Sequence, residues 1–182
     1  DLYLIHQPFG DYYGAWRAME RLYREGAVRA VGVSNFTPER LVDLCMNQEI
    51  SPMVDQIEIH PFFQQSTALR VMEDYGVIPQ AWAPFSEAQK DIFHHKTLTK
   101  IAGRHGKTTA QVMLRWHLQR DVPAIPKTVH RERVAENLDV FDFELTEKEM
   151  ESIAGMDIGH SEIIDHHCFS TARQLNSVKI HA

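Results

Sequence analysis

The run Arg24-Glu25-Gly26-Ala27-Val28-Arg29-Ala30-Val31-Gly32-Val33-Ser34-Asn35 (residues 24–35) holds the end of one element, the whole of a second and the turn into a third. Before it, Tyr13, Trp16, Met19 and Tyr23 recur at spacings of three and four, the stripe of an amphipathic helix. Gly26 stands where a helix commonly ends in a left-handed residue. Val28 to Val33 follows at once, a short apolar run of the kind a buried strand presents. Beyond Ser34-Asn35, Thr37-Pro38 supplies an N-cap and a first-turn proline for a helix carrying Leu41, Leu44 and Cys45.

The same helix-glycine-strand scheme repeats along the chain. Leu69, Met72 and Tyr75 form a stripe that stops at Gly76. Further strands are expected near Leu2 to Ile5, Met53 to Ile57, Ile78 to Trp82 and Pro123 to Ile125, the last weakened by Pro123, which has no N–H and must sit at the strand's start. Thr108 with Gln111, and Thr146 with Glu149, read as capping boxes. The helices they open bury Val112, Met113 and Trp116 in one case and Met150 and Ile153 in the other. Ser86 to Lys96 reads as a long loop, and the tail from Gly159 as irregular apart from a short helix near Ala172. Strands separated by helices imply parallel pairing through right-handed crossovers, either in a barrel or in an open doubly wound sheet. No GxGxxG follows any strand, which favours the barrel. Five expected strands fall three short of the eight in a barrel of about 250 residues. The chain also opens at Asp1 directly into an apolar run, as if cut inside a strand, so the expectation is a single domain, 1–182, with 157–182 as its tail, and a partial one if the architecture is a barrel.

With 43% hydrophobic and 24% charged residues the chain has globular composition. Its formal net charge of -6 disfavours nucleic acid and anionic membrane as partners, since both reward a positive field. No apolar run approaches the length of about 18 residues that a membrane helix needs. Cys45 and Cys168 stand far apart with no CxxC, against a disulfide framework and in keeping with a cytoplasmic setting. Among 11 histidines, His94-His95 and His166-His167-Cys168 are adjacent groups whose side chains diverge, so no metal site is expected.

In a parallel barrel the chemistry lies at the carboxyl ends of the strands, where this sequence sets His6, Ser34-Asn35, Gln56, Trp82 and Lys127-Thr128. Each alone has a plainer reading: a satisfied core histidine, turn residues ahead of the Thr37 cap, a glutamine paired to buried backbone, a core tryptophan, a solvated basic face. Lys127-Thr128 ahead of a helix carrying Arg131 and Arg133 is the most suggestive, because cation, hydroxyl and helix amino terminus together suit an anion.

Several ordered stretches resemble the aldo-keto reductases: residues 1–8 (DLYLIHQP), 32–36 (GVSNF), 55–61 (DQIEIHP), 80–85 (QAWAPF), 110–116 (AQVMLRW) and 125–129 (IPKTV), followed by Arg133, Glu136 and Asn137. The match fades after about residue 157. The resemblance implies a (β/α)8 TIM barrel, here about its last five strand-helix units, and NADPH-dependent reduction of a small aldehyde or ketone. It makes His6 the catalytic histidine that hydrogen-bonds the substrate carbonyl. Ser34, Asn35 and Gln56 are implied to hold the nicotinamide carboxamide, and Trp82 to stack on its ring, a tryptophan similar to that of the bacterial diketo-gluconate reductase branch. Lys127, Thr128 and Arg133 are implied to bind the adenosine 2'-phosphate, with Glu136 and Asn137 near the adenine. The family's general acid is a tyrosine tuned by a lysine and an aspartate, on elements that precede the strand ending in His6. None of the five tyrosines here stands in that motif, so the chain is expected to be a fragment of very low activity. The alternative is a non-catalytic NADP-binding or interaction module.

Overall fold

The computed structural model describes residues 1–178; residues 179–182 of the tail lie outside the described residues. The chain divides into two compact units, Asp1–Ile57 with Ser66–Pro79 and Ile164–Ala182, and Glu58–Gln65 with Gln80–Ile163. Among the described residues no helix is long and apolar enough to cross a membrane.

The first unit alternates strand and helix: β1 (Leu2–Ile5), α1 (Tyr12–Arg24), β2 (Ala30–Ser34), α2 (Pro38–Asn47), β3 (Val54–Glu58, to Ile57 in this unit), α3 (Ser66–Tyr75), the start of β4 (Ile78–Trp82) and, late in the chain, a helix at Phe169–Ser177. The strands are parallel and ordered as in the sequence, β1-β2-β3-β4. Ile5 stands beside Val33, Val33 beside Asp55 and Ser34 beside Gln56. This register brings the strand ends level and so places the residues that follow them together. It needs Gly32, because a Cβ there would lie 2.5 Å from the Val54 carbonyl oxygen and 2.7 Å from Leu4 Cδ2.

Trp16 shows how α1 is fixed to the connection between α2 and β3. Its ring is fully buried and its Nε1–H donates to the Ile50 carbonyl at 2.9 Å, while buried Glu20 accepts from the Ile50 N–H at 2.8 Å. Asp11 caps α1 by accepting from Gly14 N–H. At the other end Gly26 takes φ 73 and the Ala27 N–H closes onto the Leu22 carbonyl, the hydrogen bond that ends a helix through a left-handed residue. Thr37 occupies the expected cap position of α2 but makes no side-chain cap bond, so Pro38 at the first turn starts that helix.

In the second unit Ser86–His94 forms turns interrupted by non-helical backbone from Glu87 to Asp91, followed by α4 (Lys96–His105), α5 (Thr109–Leu118), α6 (Arg131–Leu138) and α7 (Glu147–Ala154); the Phe169–Ser177 helix is then α8. Both expected capping boxes are present, at Thr108–Gln111 and at Thr146–Glu149. Val112, Met113 and Trp116 of α5 are almost fully buried, and with Leu98, Ile101 and Ile153 they form the core of this unit. Each such aliphatic side chain contributes roughly 1.5–3 kcal/mol.

Three expectations shift. The second strand begins at Ala30 instead of Val28. The fifth strand shrinks to a single parallel bridge, Ala81 to Ala124, because Pro123 and Pro126 remove two of the N–H donors a ladder needs. The stretch expected as a loop after β4 carries left-handed backbone at Ser86, Glu87, Ala88, Lys90 and Asp91, a geometry that no local glycine announces.

Candidate functional site

In the first unit, His6 just past β1, Ser34 and Asn35 at the end of β2, and Gln56 at the centre of β3 come together, with β3 running two residues beyond Gln56. Ser34 Oγ donates to the Gln56 carbonyl at 2.7 Å. Asn35 is left-handed, φ 61, and its backbone N–H donates to the same carbonyl at 3.0 Å. Its side-chain Nδ2 donates to the His6 carbonyl at 3.0 Å and to Ser34 Oγ at 3.1 Å, which commits both amide hydrogens and fixes the direction of the amide oxygen. Ser34 and Asn35 are buried, whereas the His6 ring is exposed. The cluster is therefore rigid polar backbone and amide chemistry with an imidazole at its edge.

The loop after His6 is aromatic. Tyr12 stacks on Tyr13 at 4.9 Å and meets Phe36 edge-on at 5.3 Å, and Arg40 lies over the Phe9 ring. Tyr13 hydrogen-bonds Asp43, and that bond, together with burial, pushes its pKa up to about 12. A proton donor needs the opposite shift. The tail reaches this loop too, with His166 Nε2 3.1 Å from Gln7 Oε1.

In the second unit a cavity of about 730 Å³ is lined by Lys127, Thr128, Arg133, Glu136 and Asn137, and by Ala83–Phe85, Phe93 and Thr108–Ala110 among others. All five residues expected at the phosphate and adenine end of a cofactor thus share one cavity. Trp82, at the end of β4, lies one residue before the lining begins at Ala83 and is not part of it. Glu136 accepts from Thr108 Oγ1 at 2.6 Å, and its carbonyl accepts from Gln111 Nε2 at 3.2 Å, so α6 is held to the start of α5. Lys107 closes the far end of α6 by pairing with Asp139 and Asp142. Lys127 and Arg133, in contrast, have no ion-pair partner among the described residues.

Sequence reasoning missed part of this wall. Ala83–Phe85, Glu87 and Ala88 follow a strand's carboxyl end, where site loops belong, and that position was an available signal. Thr108 and Thr109 carried only a capping signal, and nothing in the sequence separates a cap from a cavity wall.

A parallel sheet with polar residues at or near its strand ends, joined through helices, has the architecture of a piece of a β/α barrel. The Aldo/keto reductase family model matches residues 1–158, and the chain belongs to this family. It is 45% identical over 154 residues to the glyoxal reductase of Bacillus subtilis (strain 168), an alignment covering 84% of this chain and 55% of that protein. It resembles an aldo-keto reductase from a Medee basin deep-sea metagenome library at a TM-score of 0.87 and 40% identity, over 92% of this chain and 63% of the other. It resembles a variant of Gox0644 in complex with NADPH at a TM-score of 0.85 and 36% identity, over 98% and 64% of the two chains. The fold is accordingly part of a (β/α)8 barrel, and the chain spans little more than half the length of the curated relatives it matches.

Proposed function

We propose that these residues supply the cofactor-binding and carbonyl-orienting part of an NADPH-dependent aldo-keto reductase, with 1–182 belonging to one barrel domain and 157–182 forming its tail. One observation carries the reading: Lys127 and Arg133 line a single cavity and neither makes an ion pair among the described residues, although Glu87 and Glu136 share the lining and the chain's net charge is -6. Unpaired cations at a cavity are matched by an anionic ligand. Arginine offers a planar fork and lysine a point charge, and with the Thr128 hydroxyl they suit a phosphate monoester such as the adenosine 2'-phosphate. NADPH, the ligand of the Gox0644 variant, has that phosphate, and NADH lacks it.

On this reading Glu136 and Asn137 lie along the adenine, Trp82 against the nicotinamide ring, and Ser34, Asn35 and Gln56 hold its carboxamide. Bound NADPH supplies the hydride that reduces a carbonyl carbon. His6 donates an N–H to the substrate carbonyl oxygen, orienting it and stabilising the charge that develops there. The substrate class is an aldehyde, a ketone or a sugar-like carbonyl, with Phe9, Tyr12 and Tyr13 as an aromatic wall. The proton donor is assigned to none of the tyrosines here, and turnover by these 182 residues alone is expected to be very low.

The test is titration of the purified protein with NADPH, followed by quenching of tryptophan fluorescence, with NADH as control. Saturable quenching by NADPH is expected, with Lys127→Ala weakening it roughly tenfold, a figure kept low because Lys127 is exposed, and leaving NADH unaffected. Equal weak responses to both cofactors, unchanged by Lys127→Ala, contradict the reading.

A further inference from the structure

Asp55 is the second residue of β3, beside Val33 of β2, and its side chain is fully buried (0% exposed). Neither carboxyl oxygen has a hydrogen-bond partner among the described residues. Buried polar groups in native folds are nearly always paired, and a buried unpaired carboxylate ion is among the costliest arrangements a fold can hold. An orphan of this kind, one residue from Gln56, requires an account.

The register says what it faces. Ser34 stands beside Gln56 and Val33 beside Asp55, so the alternation of strand side chains puts Gln56 on one face of the sheet and Asp55 on the other. On Asp55's side the backbone N–H of Phe36 faces the carboxyl without reaching ordinary hydrogen-bond geometry. The Cys45 thiol of α2 is also a neighbour, its own pKa pushed up by burial and by Asp55. Phe36 follows Asn35, whose left-handed backbone and N–H bond to the Gln56 carbonyl fix the carboxamide-facing cluster. The Phe36 amide is therefore the hinge between that cluster and the start of α2.

We propose that Asp55 is a positioning residue, an uncharged carboxylic acid that steadies the Phe36 amide and, through it, the arrangement of Asn35, Ser34 and Gln56 that receives the nicotinamide end of the cofactor. This rests on the proposed function above. An uncharged carboxyl keeps one oxygen turned toward the Phe36 N–H as an acceptor, adds one O–H donor, and places no ion in the buried layer, although neither oxygen reaches hydrogen-bond geometry in this structure. Burial pushes the Asp55 carboxyl well above the usual carboxylate range. Because the folded pKa is raised above the unfolded one, the contribution is fully present at low pH and is lost as pH rises through the folded pKa. Cofactor affinity should fall with it.

The experiment measures NADPH affinity and the thermal unfolding midpoint against pH for the unaltered protein, Asp55→Asn and Cys45→Ala. Asparagine keeps the shape and removes the titration. The expected result is that affinity of the unaltered protein and of Cys45→Ala falls by up to about tenfold per pH unit above the Asp55 pKa, while Asp55→Asn stays flat. Parallel profiles for the unaltered protein and Asp55→Asn, or a profile flattened by Cys45→Ala, overturn the proposal. No saturable NADPH binding by any of the three at any pH overturns the proposed function and this positioning role with it. The unfolding midpoint still reports the acid itself: with rising pH it falls in the unaltered protein relative to Asp55→Asn, the pH dependence of the other groups being common to both. If Asp55→Asn does not fold, the 13C resonance of the Asp55 carboxyl in the unaltered protein replaces it. Titration in step with NADPH affinity supports the proposal, and a carboxyl ionised throughout overturns it.

Discussion

Replacing Glu149 with glutamine tests whether a single buried carboxylate holds α4 to the start of α7. Its side chain is 5% exposed, and its oxygens accept from the Thr146 N–H at 2.9 Å, from Thr146 Oγ1 at 3.0 Å and from Arg104 at 3.4 Å, with His105 Nε2 3.0 Å away. Burial by itself would raise its pKa, but the Thr146 N–H, His105 and the Thr146 hydroxyl outweigh it and bring the value down to about 2 from 4.5. At about 1.4 kcal/mol per unit, that shift makes ionised Glu149 worth roughly 3 kcal/mol of folding stability, to order of magnitude. Because the folded pKa is depressed, the contribution is present above the unfolded value and disappears as pH falls from 4.5 through about 2. Urea unfolding of the unaltered protein and Glu149→Gln across this range is the assay. The variant should be less stable by about 2–3 kcal/mol at neutral pH, since the amide keeps the shape and loses the charge, and the gap should close in acid. A gap of the same size at pH 7 and near pH 2 refutes the reasoning.

Fully buried His117 should add a second acid-sensitive limb at higher pH. Its Nδ1 is 2.8 Å from the Met113 carbonyl and its Nε2 3.0 Å from the Ile59 carbonyl, contacts that favour the charged form, but burial dominates and pushes its pKa down to about 4. A depressed histidine contributes stability that is lost as pH falls from about 6.5 to about 4, so His117→Gln should flatten unfolding midpoints over that interval, and a midpoint curve parallel to the unaltered protein's contradicts this. Gly32→Ala should cost at least 1–3 kcal/mol in equilibrium unfolding, because its Cβ meets the Val54 carbonyl oxygen, which is backbone and cannot turn aside; a neutral substitution contradicts the packing of β2 on β3.

The parts of the fold that sequence revealed are those with short-range causes. A stripe at three and four followed by glycine located α1 and α3 and their ends, and the Thr108 and Thr146 boxes located α5 and α7. What it could not show depends on long-range placement. Pro123 and Pro126 leave one bridge where a strand was expected, and the left-handed residues of Ser86–Asp91 carry no glycine to mark them. The site followed the same division. Ser34, Asn35 and Gln56 were legible as polar residues at or near the ends of apolar strands, and Lys127 and Arg133 as cations before and within the first turn of a helix. Asp55 was not, because only the register shows that its carboxyl points away from Gln56 into a buried layer without a partner.

The central claim is that the cavity at Lys127, Thr128 and Arg133 receives a 2'-phosphate. Calorimetric titration with adenosine 2',5'-bisphosphate, against adenosine 5'-monophosphate, tests it without requiring turnover or the nicotinamide end. Saturable binding of the bisphosphate, at least about tenfold tighter than the monophosphate and lost in Arg133→Ala, is the result this account predicts. Equal binding of both, or binding of the bisphosphate that Arg133→Ala leaves intact, would contradict it.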